Sequence, residues 1–338
     1  MNNRFFSTQK GHTKLWITIG IIVLFLIAMG LFIFSNKKPA DEIIIGYSAL
    51  RISLPVFAAK EKAYFAGEGL NVKLVRFDTA QPLMTSLVAG SVRIAGYTAL
   101  PITYNAMLRS KTDLYFVTAM LEDQKHRISY LIVPKDTPDT FTIAELKGKK
   151  IGILPTVAYR AWLEEILKFN EVDPSDVKIV QITPALTPSA LESGQVNALF
   201  TNDPAATTIL QRGIGRLLSK EVEVPKIFGE QFVFGSFNIR KDFADSNPEI
   251  AAKIVRALDK AVTFVNNNPD EAKRIMKKYL HELQKPFVDF YPDALYQTTT
   301  EVDPEKFQDI ADKYLEIGII QKPLKVEHLV ISEKIFLK

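Results

Sequence analysis

The chain repeats a short pattern of apolar residues and glycine, and this repeat restricts its possible folds more than any other feature. Residues 86–101 read SLVAGSVRIAGYTALP, and residues 190–204 read ALESGQVNALFTNDP. Three pairs of identical residues align, each pair 104 residues apart: Leu87 with Leu191, Gly90 with Gly194, and Val92 with Val196. The repeat predicts two lobes of similar topology, each with a helix, a glycine turn and a strand that ends in a loop.

Strand and helix patterns alternate through both halves of the chain. Runs that predict strands lie at residues 43–47, 72–77, 92–97, 114–120, 129–134, 149–155, 177–182, 196–200, 215–219 and 232–243. Helical stretches separate most of them, which favours parallel sheets covered on both faces. Residues 248–280 and 304–317 are helical in pattern and are expected to pack on the first lobe. Ligands bind at the carboxyl edge of such sheets, so the repeated loops are expected to line a shared cleft.

The excess positive charge of the chain lies at its N-terminus. Hydrophobic residues make up 47% and charged residues 24% of the 338, as in a globular protein. Five of the 42 basic residues lie within residues 1–38, which contain no acidic residue, so 37 basic residues face 38 acidic ones in the remainder. Because the chain beyond residue 38 is so close to neutral, it lacks the positive surface that binds nucleic acid. We therefore expect no nucleic-acid partner.

An apolar segment near the N-terminus predicts a membrane anchor. Leu15 to Phe34 reads LWITIGIIVLFLIAMGLFIF, 20 uncharged residues that span about 30 Å as a helix, the thickness of the hydrocarbon core. The positive-inside rule then places residues 1–14 in the cytoplasm and the rest of the chain outside. The alternative, a cleaved signal peptide, has a shorter apolar core of about 7–15 residues and a small-residue cleavage site. We therefore predict an uncleaved single-pass helix or signal anchor over residues 15–35.

Five longer motifs carry a resemblance to a known family. In chain order they are IGYSALRISLPVFAAKEKAYFAGEGLNVKLV, SLVAGSVRIAGY, LIVPKDTPDTFTIAELKGKKIGI, LESGQVNALFTNDP and SFNIRKDFADSNPEIAAKIVRAL. Their order and spacing resemble those of the solute-binding proteins of ABC importers for nitrate, taurine and alkanesulfonates. The resemblance covers nearly all of residues 42–322. One departure is the pair Asn202-Asp203, where the family usually has an aromatic residue and an acid, so the ligand does not carry over.

The resemblance implies an α/β fold of the two-lobed type II periplasmic-binding-protein kind, with two doubly wound sheets joined by a hinge. Lobe I is expected to comprise residues 42–127 and 237–338, and lobe II residues 128–236. The hinge is expected near residues 124–130 and 232–240. Closure of such lobes on a ligand requires that the ligand bind the closed state with more favourable free energy than the open state.

The candidate ligand contacts lie in the loops that follow the predicted strands. Helix N-termini in those loops offer free N–H groups and a partial positive charge, which suit an anionic or polar group. The candidates are Ser48, Ala49, Arg51, Gln81, Tyr97, Thr98, Thr156, Val157, Arg160, Asn202, Asp203 and Ser236. Sites of this kind combine apolar walls with a few placed polar groups.

Several candidates also have an ordinary structural interpretation. Arg51 either pairs with a carboxylate or sulfonate of the ligand or is a solvated charge at the rim. Tyr97 either stacks on a planar ligand or packs between the lobes. Thr156 is expected to cap the helix that follows it. Asp203 either accepts a hydrogen bond from a ligand amine or caps the helix that begins at Pro204.

Three further residues near these loops have predicted roles. Ser53 is expected to be the N-cap of the first helix, because Pro55 lies in its first turn. Arg160 is expected to face the cleft from the helix after Thr156. Trp162, on another face of that helix, is expected to be a core residue.

These observations predict an extracytoplasmic substrate-binding protein of an ABC importer. Its expected partners are a small organic anion such as a sulfonate or carboxylate, an ABC permease with a separate ATPase subunit, and the membrane, and a monomeric ectodomain is expected. Alternatives are a binder of a thiamine-pyrimidine or flavin precursor, a sensing ectodomain with a membrane partner and, last, a pyrimidine-synthase-like enzyme. The chain has no Cys and none of the common catalytic motifs, so we expect no enzyme activity, cofactor or metal.

Overall fold

The fold is that of a computed structural model that describes residues 42–280, 282 and 284–331. The predicted cytoplasmic tail, residues 1–14, and the predicted membrane segment, residues 15–35, lie outside the described residues. Within the described part of the chain, no helix combines the length and the apolar character needed to cross a membrane.

The described residues form two sheets. Their strands are β1 (Ile43–Ser48), β2 (Val72–Phe77), β3 (Ile94–Ala99), β4 (Leu114–Glu122), β5 (Ser129–Pro134), β6 (Lys150–Ile153), β7 (Lys178–Gln181), β8 (Ala198–Asn202), β9 (Gly215–Leu217), β10 (Phe232–Arg240) and β11 (Leu295–Gln297). The first sheet has the order β11-β4-β10-β3-β1-β2, and the second has the order β7-β6-β8-β5-β9. Each sheet is built from its own part of the repeat, as the sequence predicts.

Helices follow most strands. They are α1 (Leu54–Glu61), α2 (Tyr64–Gly67), α3 (Ala80–Val88), α4 (Leu100–Ser110), α5 (Val157–Phe169), α6 (Thr187–Glu192), α7 (Ala205–Gln211), α8 (Glu223–Phe228), α9 (Lys241–Ser246), α10 (Pro248–Asn267), α11 (Pro269–Met276) and α12 (Pro304–Glu316). Short 3-10 helices lie at Arg51–Ser53, Ile143–Leu146, Pro174–Asp176, Pro184–Leu186, Lys277–Tyr279, Lys285–Phe290 and Glu327–Leu329. Helix α10 packs against α1 and α2, so the C-terminal region returns to the first sheet, as expected.

The sheets are mixed: the predicted parallel strands are present, together with antiparallel ones that the sequence analysis did not predict. Strands β1, β2 and β3 are parallel to one another, and so are β6, β7 and β8. Strand β10 runs antiparallel to both β3 and β4, and β5 runs antiparallel to both β8 and β9. The reason is that β10 and β5 enter their sheets from crossover segments and not through βαβ units.

The repeat that opens the sequence analysis forms equivalent turns in the two sheets. Gly90 has φ 79° and Gly194 has φ 73°, so both adopt the left-handed conformation that favours glycine. Each turn joins a helix to a strand: α3 to β3 in the first sheet, and α6 to β8 in the second. Leu87, Val92, Leu191 and Val196 are all buried beside these turns. The repeated sequence therefore builds the same connection twice.

Two segments connect the sheets: residues 123–128 between β4 and β5, and residues 218–231, which include α8, between β9 and β10. Only the first coincides with a predicted hinge. Residues 232–240, predicted as the second hinge, form β10 and pair with both neighbours in the first sheet. Residues 232–236, assigned from the sequence to lobe II, likewise pair in the first sheet. Phe, Val and Ile residues in this run favour a buried central strand over a flexible connection.

Candidate ligand-binding site

A cavity of about 50 Å³ lies between the carboxyl edges of the two sheets. The residues that line it come from the ends of β1, β2, β3, β6 and β8, from the starts of the helices that follow, and from β10. They are Ser48, Leu50, Ile52, Asp78, Thr79, Ala80, Tyr97, Thr98, Ala99, Ile102, Leu154, Pro155, Thr156, Ala158, Tyr159, Pro184, Asn202 and Phe234. This is where open α/β sheets bind ligands.

The lining is apolar with a few hydroxyl and amide groups, and its positive potential comes from the backbone. None of the described residues that line the cavity is Lys, Arg or His, and Asp78, which is exposed, is the one charged residue among them. Three α-helices begin at the cavity: α3 after Thr79, α4 after Ala99 and α5 after Thr156. Unpaired N–H groups and aligned peptide dipoles at helix starts favour negatively charged groups.

The three helix starts differ in their capping. The Oγ1 of Thr156 accepts a hydrogen bond of 3.2 Å from the N–H of Tyr159, so the predicted cap at Thr156 is confirmed. Neither Thr79 nor Ala99 caps its helix with a side chain. The first N–H groups of α3 and α4 are therefore left to other acceptors at the cavity. Ser53, predicted to cap α1, instead donates its hydroxyl to the carbonyl of Gly96 at 2.9 Å.

Two buried hydroxyls lie in the cavity wall: Ser48 Oγ, which has no hydrogen-bond partner among the described residues, and Tyr159 Oη, with which the Asn202 side chain interacts. Ser48 ends β1 of the first sheet, and Tyr159 lies in the first turn of α5, beside the second sheet. Burial raises the pKa of Tyr159 well above its ordinary value and the charges of Glu122 and Asp203 raise it further, whereas the hydrogen bond from Asn202 acts in the opposite direction. The Tyr159 phenol is therefore a neutral hydrogen-bond donor.

The structure brings five of the twelve predicted residues to the cavity: Ser48, Tyr97, Thr98, Thr156 and Asn202. Tyr97 lines it without offering its side chain. Its hydroxyl is 2.6 Å from Thr118 Oγ1, and its ring packs edge-on against Phe237 and Tyr296. It adopts φ 67° in the left-handed region, at an irregularity in the pairing of β3 with β10. Of the two interpretations of Tyr97, these contacts match packing within the protein, because its ring belongs to the core of the first sheet.

Thr98 lines the cavity, and its hydroxyl is bonded within the protein. Its Oγ1 lies 2.7 Å from the Oγ1 of Thr103, receives a hydrogen bond of 2.9 Å from Asn238 Nδ2 and lies 3.6 Å from Met84 Sδ. Thr103 also donates to the carbonyl of Ala99 at 3.3 Å. Thr98 therefore belongs to a buried network of hydrogen bonds at the cavity wall.

Arg51 and Asp203 lie beside the cavity and bind each other. Arg51 Nη2 is 3.5 Å from Asp203 Oδ2, and both side chains are buried. Arg51 Nη1 also donates to the carbonyl of Pro292 at 2.6 Å, and Nη2 donates to the carbonyl of Arg127. Burial opposes its charge, yet Asp203 and neighbouring groups raise the pKa of Arg51. Of the two interpretations of Arg51, the solvated rim charge is wrong because the side chain is buried. The ligand contact stays a prediction, and Arg51 Nε has no hydrogen-bond partner among the described residues.

Asp203 has its acceptor positions filled from within the protein. Its Oδ2 accepts from the hydroxyl of Tyr130 at 2.8 Å. Its Oδ1 accepts from the N–H of Thr207 at 3.1 Å and from the Thr207 hydroxyl at 2.6 Å. Of its two predicted roles, the contacts match the helix cap, for α7, and not acceptance from a ligand amine.

The other five predicted residues lie outside the cavity wall: Ala49, Gln81, Val157, Arg160 and Ser236. Arg160 is exposed and pairs with Glu164 at 3.3 Å on the same helix, so it does not face the cleft. Ser236 is buried in β10, where its hydroxyl donates to Asn238 at 2.9 Å. These residues are next to cavity residues in the chain, but the alternation of a strand or the turn of a helix directs them elsewhere. Trp162 is buried in the core, as predicted.

Sequence reasoning missed Tyr159 and the apolar wall formed by Leu50, Ile52, Ile102 and Phe234. One signal for Tyr159 was present. A Thr156 cap makes Tyr159 the third residue of the helix, in the first turn and close to the cavity. The apolar wall has no such signal, because apolar residues at these positions are equally compatible with core packing.

Comparison with known proteins identifies a matching family and relatives of this chain. A model of the NMT1-like family matches residues 36–280. A Haemophilus influenzae protein named for thiamine biosynthesis is 22% identical over 327 residues, covering 92% of this chain and 98% of that protein. A Bacillus subtilis protein named for binding aliphatic sulfonates is 22% identical over 298 residues, covering 83% and 86%.

The fold is shared with solved binding proteins. The alkanesulfonate-binding protein SsuA from Xanthomonas axonopodis pv. citri, solved bound to MOPS, superposes with a TM-score of 0.69. That match covers 87% of this chain and 99% of SsuA at 19% identity. The predicted two-sheet α/β fold of periplasmic binding proteins is thereby confirmed.

Proposed function

This chain belongs to the NMT1-like family, and on that premise we propose that it is the substrate-binding component of an ABC importer. The observation that carries the proposal is the cavity between the two sheets, at which three helices begin and the buried hydroxyl of Ser48 has no partner among the described residues. Helix starts and hydroxyl donors on apolar walls form a binding site without catalytic groups. The relative named for binding aliphatic sulfonates supports the same role.

The proposed ligand is a small organic anion such as a sulfonate or a carboxylate. The potential of the helix starts favours a negative group, although no cationic side chain lines the described cavity. The cavity of about 50 Å³ has room for roughly three to five ordered waters, because one water needs about 10–15 Å³. A compact oxyanion head group fits this size, with the rest of the ligand directed toward exposed Asp78 at the rim.

The proposed mechanism is closure of the two sheets on the ligand. Residues 123–128 and 218–231 connect the sheets and are the segments that would change conformation. A ligand held by groups from both sheets stabilises the closed state, which then docks on the permease. The separate ATPase subunit supplies the energy of transport.

We further propose that residues 15–35 anchor the protein, with the binding region on the outer side of the membrane and working as a monomer. The apolar composition of this segment and the basic residues before it support the anchor. A tether would raise the effective concentration of the protein at the permease. Extraction of membranes with alkaline carbonate tests the anchor: the full-length chain should stay in the pellet, whereas a peripheral protein is released.

The binding role is tested by thermal unfolding of the full-length chain with a panel of sulfonates, carboxylates, nitrate and bicarbonate. A ligand at about 100 times its Kd stabilises the folded state by about 2.7 kcal/mol, which raises Tm by several degrees. A Tm that responds to no member of the panel would contradict the proposed ligand class.

A second candidate ligand is a heteroaromatic thiamine or flavin precursor. The relative named for thiamine biosynthesis favours it, since that relative is matched over 98% of its length. The cavity volume favours the smaller oxyanion, because a pyrimidine ring with its substituents needs more room. Adding an aminopyrimidine and a flavin to the thermal panel separates the two candidates, and a shift with these alone would select the second.

A further inference from the structure

We propose that a second cavity, separate from the proposed ligand cavity, is a binding site for one ordered water molecule held between Arg51 and Tyr291. This cavity has a volume of about 10 Å³, and apolar side chains such as Leu54 and Val265 form part of its wall. The two cavities have no described lining residue in common. The proposal therefore does not depend on the proposed transport function.

Two buried polar groups at this cavity have no hydrogen-bond partner among the described residues: Arg51 Nε and Tyr291 Oη. Arg51 is 4% exposed and Tyr291 is 2% exposed, so bulk water does not satisfy them. Nearly all buried polar groups in folded proteins bond to another protein group or to an ordered water. Two such groups in the wall of one small cavity therefore indicate a polar occupant that bonds to both.

The hydrogen bonds of the Arg51 guanidinium leave Nε as the nitrogen without an acceptor among the described residues. Nη1 donates to the carbonyl of Pro292 at 2.6 Å. Nη2 donates to the carbonyl of Arg127 and lies 3.5 Å from Asp203 Oδ2. A buried ion pair is favourable only if the remaining hydrogen bonds of its members are also made. A water that accepts from the Nε–H group gives this nitrogen the acceptor that both Nη atoms already have.

The size and the charge of the cavity both favour water over an ion. A volume of about 10 Å³ is at the lower limit for one water, and a halide ion is larger. The cations at the cavity already have counterions, because Arg51 pairs with Asp203, and Lys273 Nζ lies 2.8 Å from Asp293 Oδ1. An anion would therefore bring a further, uncompensated charge into a buried place. Water is neutral, accepts from Nε–H, and can donate to or accept from the Tyr291 hydroxyl.

The water would support the contact between the two sheets from the C-terminal region. Tyr291 directly follows the 3-10 helix Lys285–Phe290, and Arg51 pairs with Asp203, which follows β8 of the second sheet. The same region already holds the backbone of Arg51, because the Tyr296 hydroxyl donates to the Arg51 carbonyl at 2.6 Å. A water between Tyr291 and Nε adds a contact to the Arg51 side chain.

The first test is thermal unfolding of the full-length chain and of its Tyr291→Phe variant. A hydroxyl that bonds to an ordered water contributes to stability, so we expect Tyr291→Phe to lower Tm by about 1–4 °C. A hydroxyl that bonded to nothing would give an unchanged or raised Tm, because phenylalanine removes an unsatisfied group. The matched control is Tyr296→Phe, which removes a buried hydroxyl with a known acceptor and should lower Tm. A lowered Tm in Tyr296→Phe but not in Tyr291→Phe would overturn the proposal.

The second test is a crystal structure of the full-length chain grown in sodium bromide, which needs no variant. We expect one water oxygen about 2.7–3.2 Å from both Arg51 Nε and Tyr291 Oη, without anomalous signal from bromide. A map without density between these two atoms would overturn the proposal. A bromide ion at this position would also overturn it, since the site would then bind anions. None of these outcomes bears on the proposed function, because the ligand cavity has other lining residues.

Discussion

Arg51 and Asp203 form a buried ion pair that joins the two sheets. Arg51 Nη2 lies 3.5 Å from Asp203 Oδ2, and their side chains are 4% and 1% exposed. Arg51 follows β1 of the first sheet, and Asp203 follows β8 of the second. Buried charges are tolerated when each has its partner and its remaining hydrogen bonds are made. The pair therefore joins the two sheets beside the cavity, and Arg51 Nε is left without a partner among the described residues.

Loss of one partner of this pair should destabilise the protein. Arg51→Met leaves Asp203 buried and uncompensated, and we expect the free energy of unfolding to fall by about 3–5 kcal/mol. Arg160→Met is the control, because Arg160 forms an exposed pair with Glu164 that is worth about 1 kcal/mol or less. Urea unfolding of both variants provides the comparison. Equal losses in the two variants, or loss of ligand binding in Arg51→Met without loss of stability, would refute the structural role of Arg51.

Glu122→Gln should change how stability depends on pH. Burial raises the pKa of Glu122 although the N–H of Ser129, the Ser129 hydroxyl and the N–H of Ile128 donate to its Oε1. A carboxyl whose pKa is raised by folding contributes stability below its unfolded pKa and loses it as pH rises through the folded pKa. Glutamine keeps the accepting oxygen and carries no charge.

We therefore expect the stability of Glu122→Gln, relative to the wild type, to improve as pH increases above the ordinary glutamate pKa of about 4.3. Denaturant unfolding at several pH values measures the unfolding free energies of the variant and the wild type. Taking their difference removes the contributions of the other titrating groups. If the unfolding free energies of Glu122→Gln and the wild type differed by the same amount at every pH measured, Glu122 would have the same pKa in the folded and unfolded states.

The two glycines of the repeat should respond alike to substitution. Gly90→Ala and Gly194→Ala each force an alanine into the left-handed region, at a cost of about 1–2 kcal/mol. Steric conflict adds little, since a Cβ at Gly194 meets no atom within 4 Å and one at Gly90 meets Arg93 Nη1 at 3.4 Å. Gly67→Ala, at an uncrowded position in α2, is the control and should be neutral or stabilising. Thermal unfolding measures the change in stability in each of the three variants. If one of Gly90→Ala and Gly194→Ala lowered the stability and the other raised it, the two turns would not be equivalent.

Removal of the Thr156 cap should weaken both the fold and the ligand site. Thr156→Ala leaves the N–H of Tyr159 without its partner and should cost about 1 kcal/mol of unfolding free energy. Because Tyr159 lies in the turn that this cap fixes, the affinity for the oxyanion should also fall. Thr156→Ser keeps the hydroxyl and should restore both properties. If alanine and serine behaved identically, the cap would have no part in positioning Tyr159.

Local patterns predicted the elements well, with errors mainly at their ends. The strand expected at 92–97 is β3, Ile94–Ala99, and the stretch expected to be helical at 248–280 divides into α10, α11 and a 3-10 helix. Alternation and helical spacing depend on near neighbours, so they are visible in the sequence. The direction of a strand within its sheet is not visible in such local patterns, which is why the antiparallel pairing of β10 and β5 was missed.

The sequence by itself determined the two-fold repeat, the α/β class and the edge of the sheets at which the cavity lies. Only the tertiary structure decided which side chains reach that cavity. Arg51 and Asp203, far apart in the chain, meet and pair with each other, whereas the buried hydroxyl of Ser48 has no partner among the described residues. The physical reason is that a charge or hydroxyl is available to a ligand only if no other part of the chain satisfies it, and those partners are brought together by packing.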